Sequence, residues 1–133
     1  MQKFSYHTHT NILGFDGKNT AEEMIKKAEE IGFEEIGISN HFIYHPNLQE
    51  KDNMFFNDIQ KMETAAKKII ESIRQAALNS KIKVYAGFEV DFFPSARWRS
   101  DFEKIRKNID ADYFIGSTHI LRDKDEQHIY NMY

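Results

Sequence analysis

Ile36-Gly37-Ile38-Ser39-Asn40-His41 and Ala86-Gly87-Phe88-Glu89-Val90-Asp91 decide how this chain folds. Each is a short, largely apolar run that carries a residue able to bind metal, His41 at the end of the first and Glu89 within the second. Runs of this length read as buried strands. Between them lies the clearest helical pattern in the sequence. Ile59, Met62, Ala66, Ile69, Ile73 and Ala76 recur at intervals of three and four, which lays one apolar face along an α-helix. The pattern predicts a helix from about Asn57 to Leu78, with strands at Ile36 to Asn40 before it and Ile82 to Phe88 after it. Strand, helix, strand implies a parallel sheet with its helices as crossovers.

The same alternation extends outward in both directions. Phe4 to His7 reads as a first strand, followed by a loop from Thr8 to Asn19 that turns on Gly14 and Gly17. Thr20-Ala21-Glu22-Glu23 is a capping box that opens a helix through Ile31, and Gly32 is its natural stop. His41 to about Asp52 is expected to be loop. Pro94 precedes a helix from about Arg97 to Asn108, and Tyr113 to Gly116 reads as a fourth strand. Leu121 to Tyr133 is polar and weakly patterned. The fold class is therefore α/β, with about four parallel strands and flanking helices.

The totals bound the function. At 133 residues the chain is one domain or a piece of one. A formal net charge of −3 offers no surface for nucleic acid or an anionic membrane. There is no cysteine, so any metal must be held by histidine and carboxylate. With no apolar leader and no run long enough to span a bilayer, a cytoplasmic protein is expected. No Gly-rich phosphate loop and no Gly-x-Ser-x-Gly is present, so an NTPase and a serine nucleophile both lack their motif.

The histidines carry the chemistry. His7 and His9 end the first predicted strand, His41 the second, Glu89 the third and His119 the fourth. In parallel α/β sheets, catalytic groups gather at the carboxyl ends of the strands. Residues two apart in an extended segment share a face, so His7 and His9 can aim both rings at one point. Asp16 follows them in the loop. Glu89 is a carboxylate embedded among apolar residues, which is costly unless it is paired or ligating. Asp91 shares its strand face and is a supporting candidate, while His45 is a loop histidine that could touch substrate. Arg97 and Arg99 are candidates for a phosphate clamp, with a solvated helix start as the competing reading. His128 falls in the polar tail with no specific role. Imidazole and carboxylate together suit zinc, manganese or iron, and clustered ions of this kind activate water for phosphoester hydrolysis.

Tyr6-His7-Thr8-His9-Thr10, Ile38-Ser39-Asn40-His41, Gly87-Phe88-Glu89-Val90-Asp91 and Ile115-Gly116-Ser117-Thr118-His119 together resemble the four motifs of the PHP (polymerase and histidinol phosphatase) superfamily. Their wording is most similar to the histidinol-phosphate phosphatase branch. The resemblance implies the N-terminal portion of a distorted seven-stranded (β/α)7 barrel, one PHP domain over residues 1–133. It also implies a site for up to three divalent ions held by His7, His9, Asp16, His41, Glu89 and His119. Glu89 would bridge two ions, and Glu89 and His119 would be catalytic through a metal-activated hydroxide. The implied reaction is hydrolysis of L-histidinol phosphate, a step of histidine biosynthesis. Asn40 stands where the family pattern has aspartate, which removes one negative charge beside the site. The family's later strands and ligands are absent, so the chain is expected to be truncated, weakly active or inactive alone, and prone to self-association through its open barrel edge. Hydrolysis of another small phosphate ester and a non-catalytic metal-binding or interaction module are the alternatives. Metal content and a phosphatase assay distinguish them.

Overall fold

A computed structural model of the chain, described over residues 2–14, 16–50, 54–122 and 129–131, is built on four parallel strands that neighbour one another in chain order. The elements are β1 (Phe4–Ser5), α1 (Ala21–Glu30), β2 (Glu35–Phe42), α2 (Ile59–Ala77), β3 (Lys83–Asp91), α3 (Ala96–Asn108) and β4 (Tyr113–Ser117). A two-stranded antiparallel hairpin, β5 (Ile120–Arg122) and β6 (Ile129–Asn131), follows. The sheet curls into a half-barrel with the helices against its outer face. Alternation along the strands explains the layering. Ile36, Ile38 and Phe42 of β2 and Ala86, Phe88 and Val90 of β3 pack outward against Ile25 of α1, Met62, Ala66, Ile69 and Ile73 of α2, and Trp98 and Ile105 of α3. Gly37, Ser39, His41, Tyr85, Gly87 and Glu89 fall on the other, concave face.

Local signals account for the helix ends. Thr20 accepts the Glu23 N–H while the Glu23 side chain returns to the Thr20 N–H, completing the capping box. Gly32 takes φ 82° directly after α1. Asp58 caps α2 through Gln60 and Lys61, and Ser95 caps α3 through Trp98.

Four expectations need correction. β1 stops at Ser5, short of the histidines. β2 and β3 run on to Phe42 and Asp91, so His41 and Glu89 lie within the ladder, directly opposite each other. The segment after β2 is not a free loop, because Ile43, Tyr44 and His45 are buried and Tyr44 bridges to Phe56. The tail read as polar and weakly patterned contains the β5–β6 hairpin; its residues 123–128, with His128, and residues 132–133 lie outside the described residues, as do 51–53 of the predicted loop. None of the described helices is long and apolar enough to cross a membrane.

Candidate metal centre

Glu89 is the focus of the concave face. Its carboxylate is almost fully buried, and four imidazoles surround it. Oε2 lies 2.9 Å from His7 Nε2, 3.4 Å from His9 Nε2 and 3.3 Å from His41 Nδ1. Oε1 lies 3.4 Å from His119 Nε2. One carboxylate thus reaches four rings from three other segments of the chain, three at Oε2 and one at Oε1. Asp16 extends the cluster, with Oδ2 at 3.5 Å from His41 Nε2.

Register delivers His41 and Glu89, but the arm that bears His7 and His9 is held differently. Beyond Ser5 the regular ladder gives way to side-chain clamps and one main-chain hydrogen bond. The Thr8 hydroxyl donates to the Gly37 carbonyl at 2.8 Å, and the Ser39 N–H donates to the Thr8 carbonyl at 2.8 Å. The Thr10 N–H donates to Asn40 Oδ1, and Asn40 Nδ2 donates to Thr10 Oγ1, both at 2.7 Å. Tyr113 reaches across from β4 and donates its hydroxyl to the Tyr6 carbonyl at 2.7 Å. The Asp16 loop folds back onto this arm at Gly17. A Cβ there would lie 2.3 Å from the Thr10 carbonyl oxygen, so only glycine permits the approach that brings Asp16 to His41.

Asp91 orients His119 twice over. Its Oδ1 accepts the His119 backbone N–H at 2.7 Å, and its carboxylate lies 3.2–3.4 Å from His119 Nδ1. A proton on Nδ1 satisfies that contact and leaves the Nε2 lone pair directed toward Glu89, which is how carboxylates prepare ligating histidines.

The donor set fits divalent ions. Among the described residues, His7–His9–Glu89, His9–Asp16–His41 and His41–Asp91–His119 each bring their ligand atoms within 4.8 Å of one another. Tetrahedral bonds of about 2.0–2.1 Å put ligand atoms about 3.3 Å apart, close to the spacings around Glu89. The buried Nδ1 of His9 has no hydrogen-bond partner among the described residues. Burial, and then the neighbouring His41, lower the His9 pKa, which favours the neutral ring that can ligate. Three carboxylates meet here, and no lysine or arginine among the described residues pairs with any of them. A cation would offset that concentration of charge.

The remaining candidates separate cleanly. Asn40 is buried and engages Thr10 rather than the cluster. His45 is buried as well, its ring 4.9 Å from Phe93 and its Nδ1 accepting the Asn47 N–H at 3.2 Å. Arg97 and Arg99 are exposed on the first turns of α3, and Arg97 faces Asp101 at 3.7 Å. Sequence reasoning missed Thr8, Thr10 and Tyr113. The threonines could have been flagged as the residues alternating with the His-x-His pair, but Tyr113 carried no local signal.

Comparisons with known proteins agree with this geometry. The family model for the PHP domain matches residues 5–133. A crystal structure from Listeria monocytogenes, of a protein provisionally named histidinol phosphatase hisK, superposes with a TM-score of 0.67 at 22% identity, covering 97% of this chain and 48% of that one. Ribonuclease P protein component 3 of Methanococcoides burtonii is 41% identical over 51 residues, 38% of this chain and 21% of that protein. The chain therefore spans about half the length of the solved relative and a smaller share of the curated one.

Proposed function

The chain belongs to the PHP domain family, and from that premise we propose that it supplies the metal-binding segment of a phosphomonoester hydrolase acting on L-histidinol phosphate in histidine biosynthesis. The observation that carries the reading is Glu89, buried and ringed by His7, His9, His41 and His119 at 2.9–3.4 Å. Divalent ions bound there would bring the pKa of a water near neutrality and neutralise phosphate oxygens. The protein's own residues do the positioning. Glu89 sets its two oxygens toward different rings, so it can bridge two ions. Asp91 holds His119 with its Nε2 turned inward. His9 and His41 stack face to face at 4.3 Å, so it is their ring edges that meet the Glu89 carboxylate. Histidinol phosphate as substrate is supported by the wording of the Glu89 and His119 motifs.

The test is metal content by elemental analysis after manganese or zinc loading, followed by phosphate release from L-histidinol phosphate. Bound ions and a slow, chelator-sensitive release abolished by Glu89→Gln are expected. A chain that binds no divalent ion, or release indifferent to Glu89→Gln, would overturn the reading. A second reading, a non-catalytic part of an RNA-processing assembly, draws on the match to the ribonuclease P component. The acidic net charge of −3 weighs against it, and absence of RNA binding at physiological salt is the expected result.

A further inference from the structure

We infer that the reciprocal hydrogen-bonded pair of Asn40 and Thr10 is the positioning device that holds His9 against His41 and thereby sets the affinity of the metal centre. The inference rests on the metal-centre reading and assigns a role to residues outside the ligand set. Both partners are buried, with Thr10 and Asn40 each 2% exposed. The Thr10 N–H is an obligatory donor, so Asn40 Oδ1 must face it, and Nδ2 is left to donate to the Thr10 hydroxyl. The pair closes a ring between the residue after His9 and the residue before His41. Those two histidines are the rings that stack at 4.3 Å with an interplanar angle of 11°. Both also approach Glu89 Oε2, at 3.4 and 3.3 Å. One amide therefore fixes the relative placement of two ligands on a third. The sheet cannot do this, because β1 ended at Ser5. Thr8 anchors the arm along the strand direction but one row lower, at Gly37 and Ser39.

Aspartate at this position would accept from both the Thr10 N–H and the Thr10 hydroxyl, so it preserves the clamp and adds a charge. Alanine abolishes the clamp. Thr10→Val removes one of the two bonds while keeping the branched shape. The experiment uses the full chain and two readouts. The first is manganese and zinc affinity by calorimetry. Asn40→Ala should lose tenfold to a hundredfold, about the effect of removing a group that orients a ligand. Thr10→Val should lose less, and Asn40→Asp should bind at least as tightly as the parent. The second readout is the proton NMR of metal-free protein. Ring-current shifts of the His9 and His41 imidazole protons should collapse in Asn40→Ala and persist in Asn40→Asp. Tyr44→Phe, which removes the buried hydrogen bond to Asp101, is the control for general destabilisation. It should lower the melting temperature and leave affinity unchanged. Unaltered affinity and ring shifts in Asn40→Ala, or equal losses in Asn40→Asp and Tyr44→Phe, would overturn the inference alone. A parent chain that binds no metal would bring down the metal-centre reading and this inference with it. If Asn40→Ala does not fold, Thr10→Val and Asn40→Asp decide the matter by the same two measurements.

Discussion

Replacing Asp91 with asparagine tests how the centre is assembled. Asp91 is 1% exposed and takes two donors from His119, the backbone N–H at 2.7 Å and the ring Nδ1 at 3.2–3.4 Å. Asparagine keeps one oxygen but puts an N–H2 group where the second oxygen stood, 3.4 Å from Nδ1 in the parent. A donor would then face a donor. The ring relieves the conflict by moving its proton to Nε2, which removes the lone pair aimed at Glu89. Loss of a carboxylate behind a ligating histidine costs roughly tenfold to a hundredfold in metal affinity, or about 1.4–2.7 kcal/mol. Without metal the sign reverses. A buried carboxylate is costly to desolvate, and the neutral amide removes that cost. Calorimetric titration with zinc should show the loss of affinity, while urea unfolding in chelator should show Asp91→Asn at least as stable as the parent. Unchanged zinc affinity and stoichiometry would refute the orienting role. A fall in chelated stability matching the fall in affinity would show that Asp91 acts only as a structural brace.

Other expectations follow from the same coordinates. Gly87→Ala places a Cβ 2.5 Å from the Tyr113 ring, and overpacking of this kind costs about 1–3 kcal/mol; the denaturant midpoint should drop, and a Gly87→Ala, Tyr113→Ala double variant should lose less than the sum of the singles. Burial pushes the Asp112 carboxyl up, but the Arg74 guanidinium and the Ala86 N–H together outweigh it and hold the group below the usual range. Its contribution is thus complete above the unfolded-chain value of about 3.9 and is lost as pH falls through the lower folded value, so Asp112→Asn should flatten the stability profile in that acidic window. We also propose that the chain self-associates through its open edges, since β1 pairs only with β2 and β4 only with β3 among the described residues. Sedimentation at micromolar concentration should reveal species larger than a monomer, and a single monomeric boundary would rule this out.

Much of this molecule was legible one segment at a time. The three-and-four spacing from Ile59 to Ala76, the capping box at Thr20 and the apolar runs carrying His41 and Glu89 are local patterns, and local physics forms the elements they predict. The clustering was foreseeable in part, because a chain without cysteine that spaces histidine and glutamate along successive strands brings His7, His9, His41 and His119 around Glu89. Boundaries were read less well. β3 continues through Glu89 to Asp91, since a charged residue in the ladder is tolerable when four imidazoles meet it, and no window of sequence reports those neighbours. The hairpin after Ile120 was missed because its pattern is weak.

The residue types, the order of elements and the alternating faces of each strand were thus determined by the sequence itself. Which ring meets which oxygen was decided only by the tertiary structure. Asn40 closes on Thr10 across 30 positions of chain and Tyr113 on Tyr6 across 107. Such contacts exist only in one register of the sheet, and a slip of one residue would turn every ligand to the helix side. Side-chain pairing at this distance has no periodic signature, because it depends on where separate strands come to rest beside each other.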